Sequence, residues 1–386
     1  MKILHAIPSV DARSGGPIEG VKQMGSVLVG MGHQVEVASL DAPEDPWVKD
    51  FPLPLHPLGP TRFGGFRYSD RWTPWMRAHA PQYDAVIVDG LWQYHGFGTW
   101  RALRGTRTPY FVFTHGMLDP WFKRTYPLKH LKKWLYWPWA EYRLLRDARS
   151  VLFTCEEEKI QARESFWLYR CKEVVVPFGT RLPPQNGEAL SERFLAAHPE
   201  LKGKRLLLFL GRIHEKKGCD LLVSAFCQLA PKHPDLHLVL VGPDDAAAVP
   251  GLLAQAKERG LAQQVSWLGM LKGDDKWGAF HACDAFALPS HQENFGIAVA
   301  EAMGCSKPVL ISNKVNIWRE IEAGGGGLVG DDTLAGTQDT LSRWLALTSE
   351  QSLDMGRRAH ATFMQSFTVE SMAQGVLETV SPLRNR

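Results

Sequence analysis

The feature that most constrains the fold of this chain is a repeated alternation of short, strongly apolar runs with segments of helical periodicity. The runs include "KILHAIP" (2–8), "QVEVASL" (34–40) and "YDAVIVDG" (83–90), and one of the helical segments between them is "IEGVKQMGSVLVGMG" (18–32). Nearly continuous apolar strands separated by helices are typical of parallel sheets covered by helices. The sequence therefore predicts an α/β protein built on parallel sheets.

Two such series follow one another, and a stretch rich in proline and polar residues separates them. The first series ends with "EVVVPFG" (173–179), and the second begins with "RLLLFLGR" (205–212). Ligands of doubly wound sheets bind beyond the carboxyl ends of the strands, so we expect a substrate in the cleft between two such domains. The predicted divisions are a Rossmann-like domain at 1–178, a linker at 179–203, a second Rossmann-like domain at 204–365 and a helical tail at 366–386.

The composition limits the partners and the compartment. The chain has 386 residues, 45% of them hydrophobic and 22% charged, and its formal net charge of +3 is too small to indicate a nucleic-acid partner. No stretch approaches the roughly 18 uncharged apolar residues of a membrane span, and the N-terminus lacks the pattern of a signal peptide. The six cysteines include no C-x-x-C pair. We therefore expect a cytoplasmic protein with reduced cysteines.

In each series, the first strand is followed by a glycine-containing loop. In "GRIHEKKG", Gly211 permits a tight turn, and Arg212 and Lys217 precede a predicted helix. Cations just before a helix N-terminus are suited to binding phosphate. The alternative is a solvated basic loop. In "SVDARSGGPIEG", Gly15 and Gly16 permit close approach to an anion or sugar, although an ordinary tight turn explains them equally well. The absence of G-x-G-x-x-G there argues against a dinucleotide fingerprint.

The segment "HQENFGIAVAEAM" places two glutamates in a largely apolar run. Glu293 is predicted in a loop before a helix, whose free N–H groups around Phe295, Gly296 and Ile297 would form a second anion cradle. Glu301 lies about two turns into the helix, where a carboxylate can accept hydrogen bonds from ribose hydroxyls. The alternative is that Glu293 caps the helix and Glu301 pairs with a cation.

These motifs, in this order, resemble glycosyltransferase family 4. The resemblance rests on two Rossmann-like halves, G-R-x₄-K-G after the first strand of the second half, and E-x₇-E enclosing F-G, and it covers nearly the whole chain. It implies the GT-B fold, in which two doubly wound domains face each other across a cleft, with the C-terminal helix returning to the first domain. It also implies a retaining enzyme that uses nucleotide-activated sugars.

The resemblance further implies roles for individual residues. Arg212 and Lys217 would hold the donor diphosphate, Glu293 the transferred sugar, and Glu301 the ribose. His115, in "FTHG", matches the family histidine near the sugar and acceptor, whereas alone it could equally be a satisfied buried histidine. The implied catalytic residues are Glu293, Arg212, Lys217 and His115, and the implied donor-binding residues are Gly15, Gly16, Gly211, Gly242, Asn294, Phe295, Gly296, Ile297 and Glu301.

One loop departs from the family pattern. The turn that often reads G-x-G is "VGPDD" (241–245) here, so Gly242 is present but Pro243 and Asp244 alter the predicted base contacts. The adjacent Asp244 and Asp245 would make a poor metal cage. We predict neither a metal nor a cofactor beyond the nucleotide-sugar co-substrate.

Two segments bear on the acceptor. Residues 121–146 interleave lysine and arginine with tryptophan, which suits the anionic inner face of the cytoplasmic membrane; the alternative is a helical insert that packs on the first domain. In "DGLWQYHGFG", Trp92, Tyr94 and His95 could bind an acceptor sugar, with a packed loop as the equal alternative. No recognised nucleic-acid module accompanies the basic segment.

The sequence thus predicts a retaining hexosyltransferase. The donor is expected to be a UDP-sugar, with glucose as the first choice, and the acceptor a glycan or lipid-linked sugar in surface or exopolysaccharide synthesis. Two rivals are a nucleotide-sugar 2-epimerase on the same fold and a non-catalytic nucleotide-sugar-binding protein. The epimerase would need extra catalytic acids and histidines and no acceptor.

Overall fold

A computed structural model of the chain describes residues 1–125 and 127–381. It divides into two compact units. Unit 1 comprises residues 1–179 together with the chain from Val369 onward, and unit 2 comprises Thr180–Thr368. Each unit is built around one parallel sheet covered by helices.

Unit 1 contains a sheet of seven strands in the described residues, in the order β3-β2-β1-β4-β5-β6-β7. Every pair of neighbours is parallel. The order reverses between β1 and β4, which is where doubly wound sheets bind ligands. The strands are β1 (Lys2–Ile7), β2 (Gln34–Ser39), β3 (Leu55–Pro57), β4 (Ala85–Asp89), β5 (Tyr110–Phe113), β6 (Ser150–Phe153) and β7 (Glu173–Val175). The first eight helices are α1 (Gly16–Gly30), α2 (Pro46–Lys49), α3 (Trp72–His79), α4 (Tyr94–Leu103), α5 (Trp121–Thr125), α6 (Pro127–Tyr136), α7 (Glu141–Asp147) and α8 (Glu156–Ala162).

Unit 2 contains a sheet of six parallel strands in its described residues, in the order β10-β9-β8-β11-β12-β13. Its order reverses between β8 and β11. The strands are β8 (Arg205–Leu210), β9 (Leu236–Val241), β10 (Val265–Trp267), β11 (Ala285–Leu288), β12 (Val309–Ser312) and β13 (Gly327–Gly330). The helices are α9 (Gly187–Ala197), α10 (Cys219–Leu229), α11 (Val249–Glu258), α12 (Gly273–Ala282), α13 (Ile297–Gly304), α14 (Trp318–Gly324), α15 (Leu334–Leu345) and α16 (Ser349–Ser366).

The apolar runs of the sequence form the centres of these sheets. The side chains of β4 and β11, for example, are buried throughout, as expected for strands covered on both faces. Two edge strands, β3 and β13, escaped the sequence analysis. They are short, mostly half-buried, and contain proline or glycine, so they lack the apolar run that identified the others.

The structure corrects the predicted linker at 179–203. From Thr180 onward this stretch belongs to unit 2, and α9 occupies its middle. Leu190 and Phe194, four residues apart on α9, are buried and pack against Gly278 of α12, where a β-carbon would lie 2.7 Å from the Leu190 carbonyl oxygen. The prolines and polar residues flanking this pair concealed the helix in the sequence.

The last helix of the described chain, α17 (Val369–Val380), returns to unit 1, as the predicted fold class requires. It packs against α1 and buries Val369, Met372, Ala373, Val376 and Val380. The predicted tail at 366–386 is therefore divided, because its first three residues remain in unit 2, and residues 382–386 lie outside the described part. None of the described helices has the length and apolar character needed to cross a bilayer.

Candidate functional site

The donor-binding residues predicted in unit 2 follow three neighbouring strands. Gly211 and Arg212 come directly after β8, Gly242 comes after β9, and Glu293 lies between β11 and α13. Because β8 lies between β9 and β11 in a parallel sheet, the loops after these strands share one edge. This is the edge at which such sheets bind ligands.

Backbone contacts hold the loop after β8 against the loop after β11. Gly218, at φ 68°, precedes α10, and a β-carbon there would collide with the carbonyl of Pro289. The N–H of His291 donates to the carbonyl of Lys216 over 2.9 Å. A glycine is therefore required where the basic loop meets the acidic one.

Lys217 and Glu293 form an ion pair across these two loops. Lys217 Nζ contacts Glu293 Oε2, and the two side chains are 17% and 21% exposed. The backbone of Glu293 is also fixed, because its N–H donates to the carbonyl of Lys314 and its carbonyl accepts from the N–H of Asn316, both over 2.9 Å. Two of the three predicted catalytic residues at this edge therefore neutralise each other in the free protein.

The helix α13 begins directly after a glycine. Its N-cap residue is Gly296, at φ 78°, which supplies no side-chain cap. The carboxylate of Glu293 pairs with Lys217, in contrast to the alternative in which Glu293 caps the helix. Asn294 is half-buried before it, and Phe295 is buried, with its ring edge-to-face on Phe367 at 5.5 Å. Helix N-termini carry free N–H groups and partial positive charge. The backbone at Gly296 and Ile297 is therefore suited to an anion.

Arg212 is exposed at the same edge. Within the part of the chain that the structure describes, its guanidinium forms no ion pair or hydrogen bond. Gly211, the residue before it, is approached so closely by Gly242 that a β-carbon on Gly242 would collide with the Gly211 carbonyl. The loops after β8 and β9 are therefore in contact, with an unpaired cation beside them.

Glu301 is buried on α13 and pairs with a cation, as the alternative interpretation expected. Lys276 Nζ of α12 donates to Glu301 Oε1 over 2.7 Å, and the residue is 8% exposed. Burial raises the pKa of Glu301, and Lys276 opposes that rise. The ion pair uses one carboxylate oxygen, so it does not by itself exclude a ribose contact through the other.

Asp244 has a structural role in the loop that departs from the family pattern. Its carboxylate accepts from the N–H groups of Ala248 and Val249, over 2.7 and 3.1 Å, at the start of α11. Among the described residues, no group of three or more histidine, cysteine, aspartate or glutamate side chains could hold a metal ion.

In unit 1 the predicted site residues follow β1, β4 and β5, which are neighbours in the sheet. Gly15 has φ 93°, and α1 begins at Gly16. The buried carboxylate of Asp41 shapes the start of this loop, accepting from Ser9 Oγ at 2.6 Å and from the N–H of Val10 at 2.7 Å. The glycine loop is therefore an ordered turn with one residue in a conformation that favours glycine.

His115 follows β5, and its side chain is nearly buried, with one ring nitrogen hydrogen-bonded. Its Nε2 lies 3.0 Å from Asp89 Oδ1 at the end of β4, and its ring stacks on Phe113 with centroids 4.6 Å apart. Asp89 Oδ2 lies 2.7 Å from Nδ1 of the buried His5. Neither Asp89 nor His5 is among the site residues predicted from the sequence, although a carboxylate that ends a buried strand is a recognisable signal.

Tyr94 and His95 are packed inside unit 1. Tyr94 Oη lies 3.0 Å from Thr73 Oγ1, and His95 Nε2 lies 3.0 Å from the carbonyl of Asp89. Burial lowers the pKa of His95 to about 4, so it is neutral at pH 7. These contacts match the packed-loop alternative for both residues, whereas Trp92 is half-buried, with Lys133 Nζ 4.3 Å from its ring centroid.

The basic and aromatic segment at 121–146 divides into a packed part and an exposed part. Trp137 is buried and stacks on Phe166 with centroids 4.1 Å apart, as the packing interpretation expects. The helix α6 buries none of its residues. Its exposed apolar side chains are Leu128, Leu131, Trp134 and Leu135, and its lysines are Lys129, Lys132 and Lys133. The side chains of Phe122 and Arg124, and all of Tyr126, lie outside the described residues.

Two parallel α/β units of this kind define a known class of protein. The chain is similar to Anabaena HepE in complex with UDP, with a TM-score of 0.77 and 18% identity over 99% of this chain and 100% of that chain. It is also similar to sucrose-phosphate synthase from Thermosynechococcus elongatus, with a TM-score of 0.73 and 18% identity over 98% of each chain. At these identities the likeness concerns the fold, and it confirms the predicted GT-B class.

Sequence comparison then identifies the family. A "Glycosyl transferase 4-like domain" profile matches residues 15–179, and a "Glycosyl transferases group 1" profile matches residues 191–361. The chain belongs to glycosyltransferase family 4, as its motifs indicated.

The curated relatives are matched over part of their length. D-inositol 3-phosphate glycosyltransferase of Nocardia farcinica is 28% identical over 253 residues, which is 63% of this chain and 54% of that protein. Mannosylfructose-phosphate synthase of Agrobacterium fabrum is 33% identical over 133 residues, which is 33% of this chain and 29% of that protein. The chain thus spans about half or less of the length of the relatives it matches.

Proposed function

We propose that this chain is a retaining glycosyltransferase that moves a hexose from a UDP-sugar to a glycan or lipid-linked acceptor in the synthesis of a surface polysaccharide. Glucose is the first candidate for the sugar. The observation that carries the proposal is the group at one sheet edge of unit 2. It consists of the Lys217–Glu293 ion pair, Arg212, which has no partner among the described residues, and the N-terminus of α13 with its glycine N-cap.

The family and its relatives support this proposal. HepE, which shares the fold, was solved in complex with UDP and in complex with UDP-glucose, the latter with a TM-score of 0.73 and 19% identity over 99% of each chain. The curated relatives are named as a glycosyltransferase acting on an inositol phosphate and as a sugar-phosphate synthase. A UDP-hexose is therefore the donor with which testing should begin.

In the proposed reaction, the donor diphosphate accumulates negative charge as the bond between the anomeric carbon and the phosphate oxygen breaks. Arg212, Lys217 and the N–H groups at Gly296 and Ile297 are the cationic and hydrogen-bonding groups of this edge. Once donor binding has brought these groups onto the phosphates, they stabilise the developing charge without further reorganisation, which lowers the barrier. In the free protein, Glu293 neutralises Lys217, so donor binding would redirect Lys217 to phosphate and Glu293 to sugar hydroxyls.

Retention would follow if the acceptor oxygen attacks the face from which the diphosphate departs. The acceptor hydroxyl forms the new bond to the anomeric carbon, and its proton passes to the leaving phosphate oxygen, so the products are the glycoside and UDP. We include His115 in the site as a contact to the transferred sugar, and Glu301 as a contact to the ribose. No metal is assigned a role, and addition of a chelator should leave turnover unchanged.

The exposed face of α6 supports an acceptor at an anionic membrane surface. Leu128 is 84% exposed, and Leu131 and Leu135 lie on the same side of the helix at helical spacing. Lysines flank these apolar side chains, as in helices that lie in a lipid–water interface.

The function is tested in two stages. A thermal-shift panel of UDP-, GDP- and ADP-sugars identifies the donor, because a ligand that binds the folded protein raises its melting temperature. NMR of the best donor, with and without isolated lipid-linked glycan, then separates the possible activities. A new glycoside of unchanged anomeric configuration supports the proposal. A C2 epimer without acceptor would indicate an epimerase, and a melting shift with no product under either condition would indicate a binding protein.

A further inference from the structure

The backbone of His115 is held in an uncommon conformation. Its φ is 49°, in the left-handed region that only a few per cent of non-glycine residues occupy. The flanking residues are both tied to the buried carboxylate of Glu158, because Oε1 accepts from Thr114 Oγ1 and from the N–H of Gly116, each over 2.6 Å. Such conformations persist where the surroundings determine them from several sides.

The ring of His115 is fixed independently of its backbone. Asp89 Oδ1 lies 3.0 Å from His115 Nε2, and Phe113 stacks on the ring at an interplanar angle of 14°. The same carboxylate reaches His5 Nδ1 with its second oxygen, at 2.7 Å. The side chains of His5 and Asp89 are 0% and 1% exposed, and that of His115 is 5% exposed. The three side chains form a continuous network from β1 through β4 to the end of β5.

The charge of Asp89 determines which histidine nitrogens carry protons. Burial raises the pKa of this carboxyl group, but His5 and His115 outweigh that effect and lower it to about 2. An ionised carboxylate only accepts hydrogen bonds, so His5 Nδ1 and His115 Nε2 must both be protonated. The nitrogen of His115 that remains for a reactant is therefore Nδ1.

Other ionisable groups border the network. Nε2 of the neutral His95 lies 3.0 Å from the backbone carbonyl of Asp89, and the charge of Arg67 contributes to the lowered pKa of His95. Glu158 Oε2 accepts from the N–H and the hydroxyl of Thr154, both over 2.6 Å, so this carboxylate is saturated by donors. One fixed carboxylate, Asp89, therefore contacts the His115 ring, and another, Glu158, binds the residues on either side of His115.

We propose that Asp89 and Glu158 are positioning residues for His115: Asp89 fixes its ring and tautomer so that Nδ1 is presented to the substrate, and Glu158 fixes its backbone. His5 donates to the second oxygen of Asp89 and so fixes the orientation of the carboxylate. This inference rests on the proposed function, in which His115 contacts the transferred sugar. A purely structural link between strands would fix the same tautomer, but its loss would leave kcat and the pH profile of the folded enzyme unchanged.

The test replaces Asp89 by asparagine, because an amide offers one acceptor and one donor where the carboxylate offers two acceptors. One of the two histidines must then turn or change its tautomer. We expect kcat to fall about 10- to 100-fold, the range found when a carboxylate that orients a metal-ligating histidine is lost, with little change in KM for the UDP-sugar and an altered pH profile. Asp84→Asn is the matched control, since Asp84 precedes the same strand and accepts from the N–H of Lys2 over 2.7 Å.

A second measurement needs no turnover. In ¹⁵N-histidine NMR, with the His115 signals assigned by their loss in His115→Gln, the neutral ring should carry its proton on Nε2 in the wild type and in Asp84→Asn. Asp89→Asn should lose that preference. An unchanged tautomer in Asp89→Asn, or a kcat and pH profile equal to those of the wild type, would overturn the inference. If no transfer occurs with any donor, the proposed function fails, whereas loss of the tautomer preference in Asp89→Asn would still show that Asp89 orients the His115 ring.

A further variant covers the case in which Asp89→Asn does not fold. Glu158→Gln retains one acceptor but replaces the other by a donor, so it should loosen the backbone at His115 while leaving the tautomer set by Asp89. We expect a lower kcat with the NMR tautomer preserved. A kcat equal to that of the wild type would contradict the role of Glu158.

Discussion

At the scale of single residues, the ion pair between Lys217 and Glu293 sets the charge of the candidate donor site. A partly buried ammonium and carboxylate that already neutralise each other leave Arg212 as an unpaired cation at that edge of unit 2, among the described residues. An arriving diphosphate would meet Arg212 first and then compete with Glu293 for Lys217. The two cations are therefore expected to contribute differently to binding and to turnover.

Substitution of either cation tests this expectation. Arg212→Ala and Lys217→Ala should each lower kcat/KM by about 100-fold or more, because each removes a positioned donor to the leaving group. Arg212→Ala should mainly raise KM. Lys217→Ala should mainly lower kcat, since it also leaves Glu293 unpaired. Steady-state kinetics on the donor identified by thermal shift would measure both.

The control for these variants is Lys232→Ala, an exposed lysine just after α10. Its kinetics should match the wild type, and circular dichroism should show all three variants folded. Near-normal transfer by Arg212→Ala or Lys217→Ala would remove these residues from the proposed site.

Much of the candidate site was visible in the sequence, because strand ends can be recognised and parallel strands bring their carboxyl ends together. That reasoning placed Arg212 and Glu293 at one edge of unit 2. The partners of two other predicted residues were not identified: Lys276, which pairs with Glu301, and Asp89, which binds His115, lie 25 and 26 residues away in the chain. The first pairing depends on how helices pack and the second on which strands are neighbours, and no local pattern encodes either.

At the scale of secondary-structure elements, one carboxylate connects the short edge strand β3 to its neighbours. Glu36 of β2 accepts from Lys2 at 2.9 Å, from His56 of β3 at 2.7 Å and from Tyr83 at 2.7 Å. Burial raises the pKa of Glu36, but these hydrogen bonds outweigh burial and lower the pKa from 4.5 to about 2. The ionised form therefore stabilises the folded protein.

The pH dependence of this contribution has a defined sign. Since the pKa is lower in the folded state, the stabilisation is fully present above about pH 4.5 and is lost as the pH falls from 4.5 towards 2. Glu36→Gln should thus melt at a lower temperature than the wild type at pH 7, and the difference should narrow across that window. Thermal melts followed by circular dichroism measure it, and Glu44→Gln, at an exposed position, is the control. A constant difference between pH 7 and 2 would contradict the assignment.

The exposed face of α6 is a second feature at this scale. If it lies in a lipid interface, Leu128→Ser/Leu131→Ser should weaken sedimentation with both neutral and anionic vesicles, whereas Lys129→Glu/Lys132→Glu should weaken it selectively with anionic ones. Leu353→Ser is the matched control, because Leu353 is also exposed, at 67%, but lies on α16 of unit 2. Failure of the wild type to sediment with anionic vesicles would rule out the membrane interpretation.

The elements themselves were largely predictable, with exceptions that share a cause. Strands buried on both faces, such as β4 and β11, produce apolar runs that no other structure explains. Neither the edge strand β3 nor the helix α9 shows a distinct apolar run, because β3 has only three residues and α9 is flanked by prolines and polar residues. Sequence reasoning therefore identified the central strands and the edge strand β7, and it missed β3, β13 and α9.

At the scale of the whole molecule, α17 makes unit 1 depend on a distant part of the chain. Five apolar side chains of this helix are buried in unit 1. At about 2 kcal/mol each, their loss would be comparable to the entire stability of a typical domain, which is about 5–15 kcal/mol. That the two units face each other across a cleft stays a prediction from the sequence.

Deletion of the chain after Thr368 should therefore unfold unit 1 and leave unit 2 folded. Differential scanning calorimetry would show the loss of one transition, and limited proteolysis would yield a resistant fragment beginning near Thr180. Gln374→Ala, on the exposed side of α17, is the control and should melt as the wild type does. Retention of both transitions after the deletion would show that α17 contributes little.

The return of α17 also fixes the order in which the molecule can be completed on the ribosome. Residues 1–179 emerge first but lack the helix that covers α1, and that helix is made only after all of unit 2 has been synthesised. The apolar surface of unit 1 that α17 covers therefore stays exposed while some 190 further residues (Thr180–Thr368) are added. At about 5–20 residues per second, this takes on the order of 10 to 40 seconds. During that interval the second sheet, which is contiguous in the chain, can fold first.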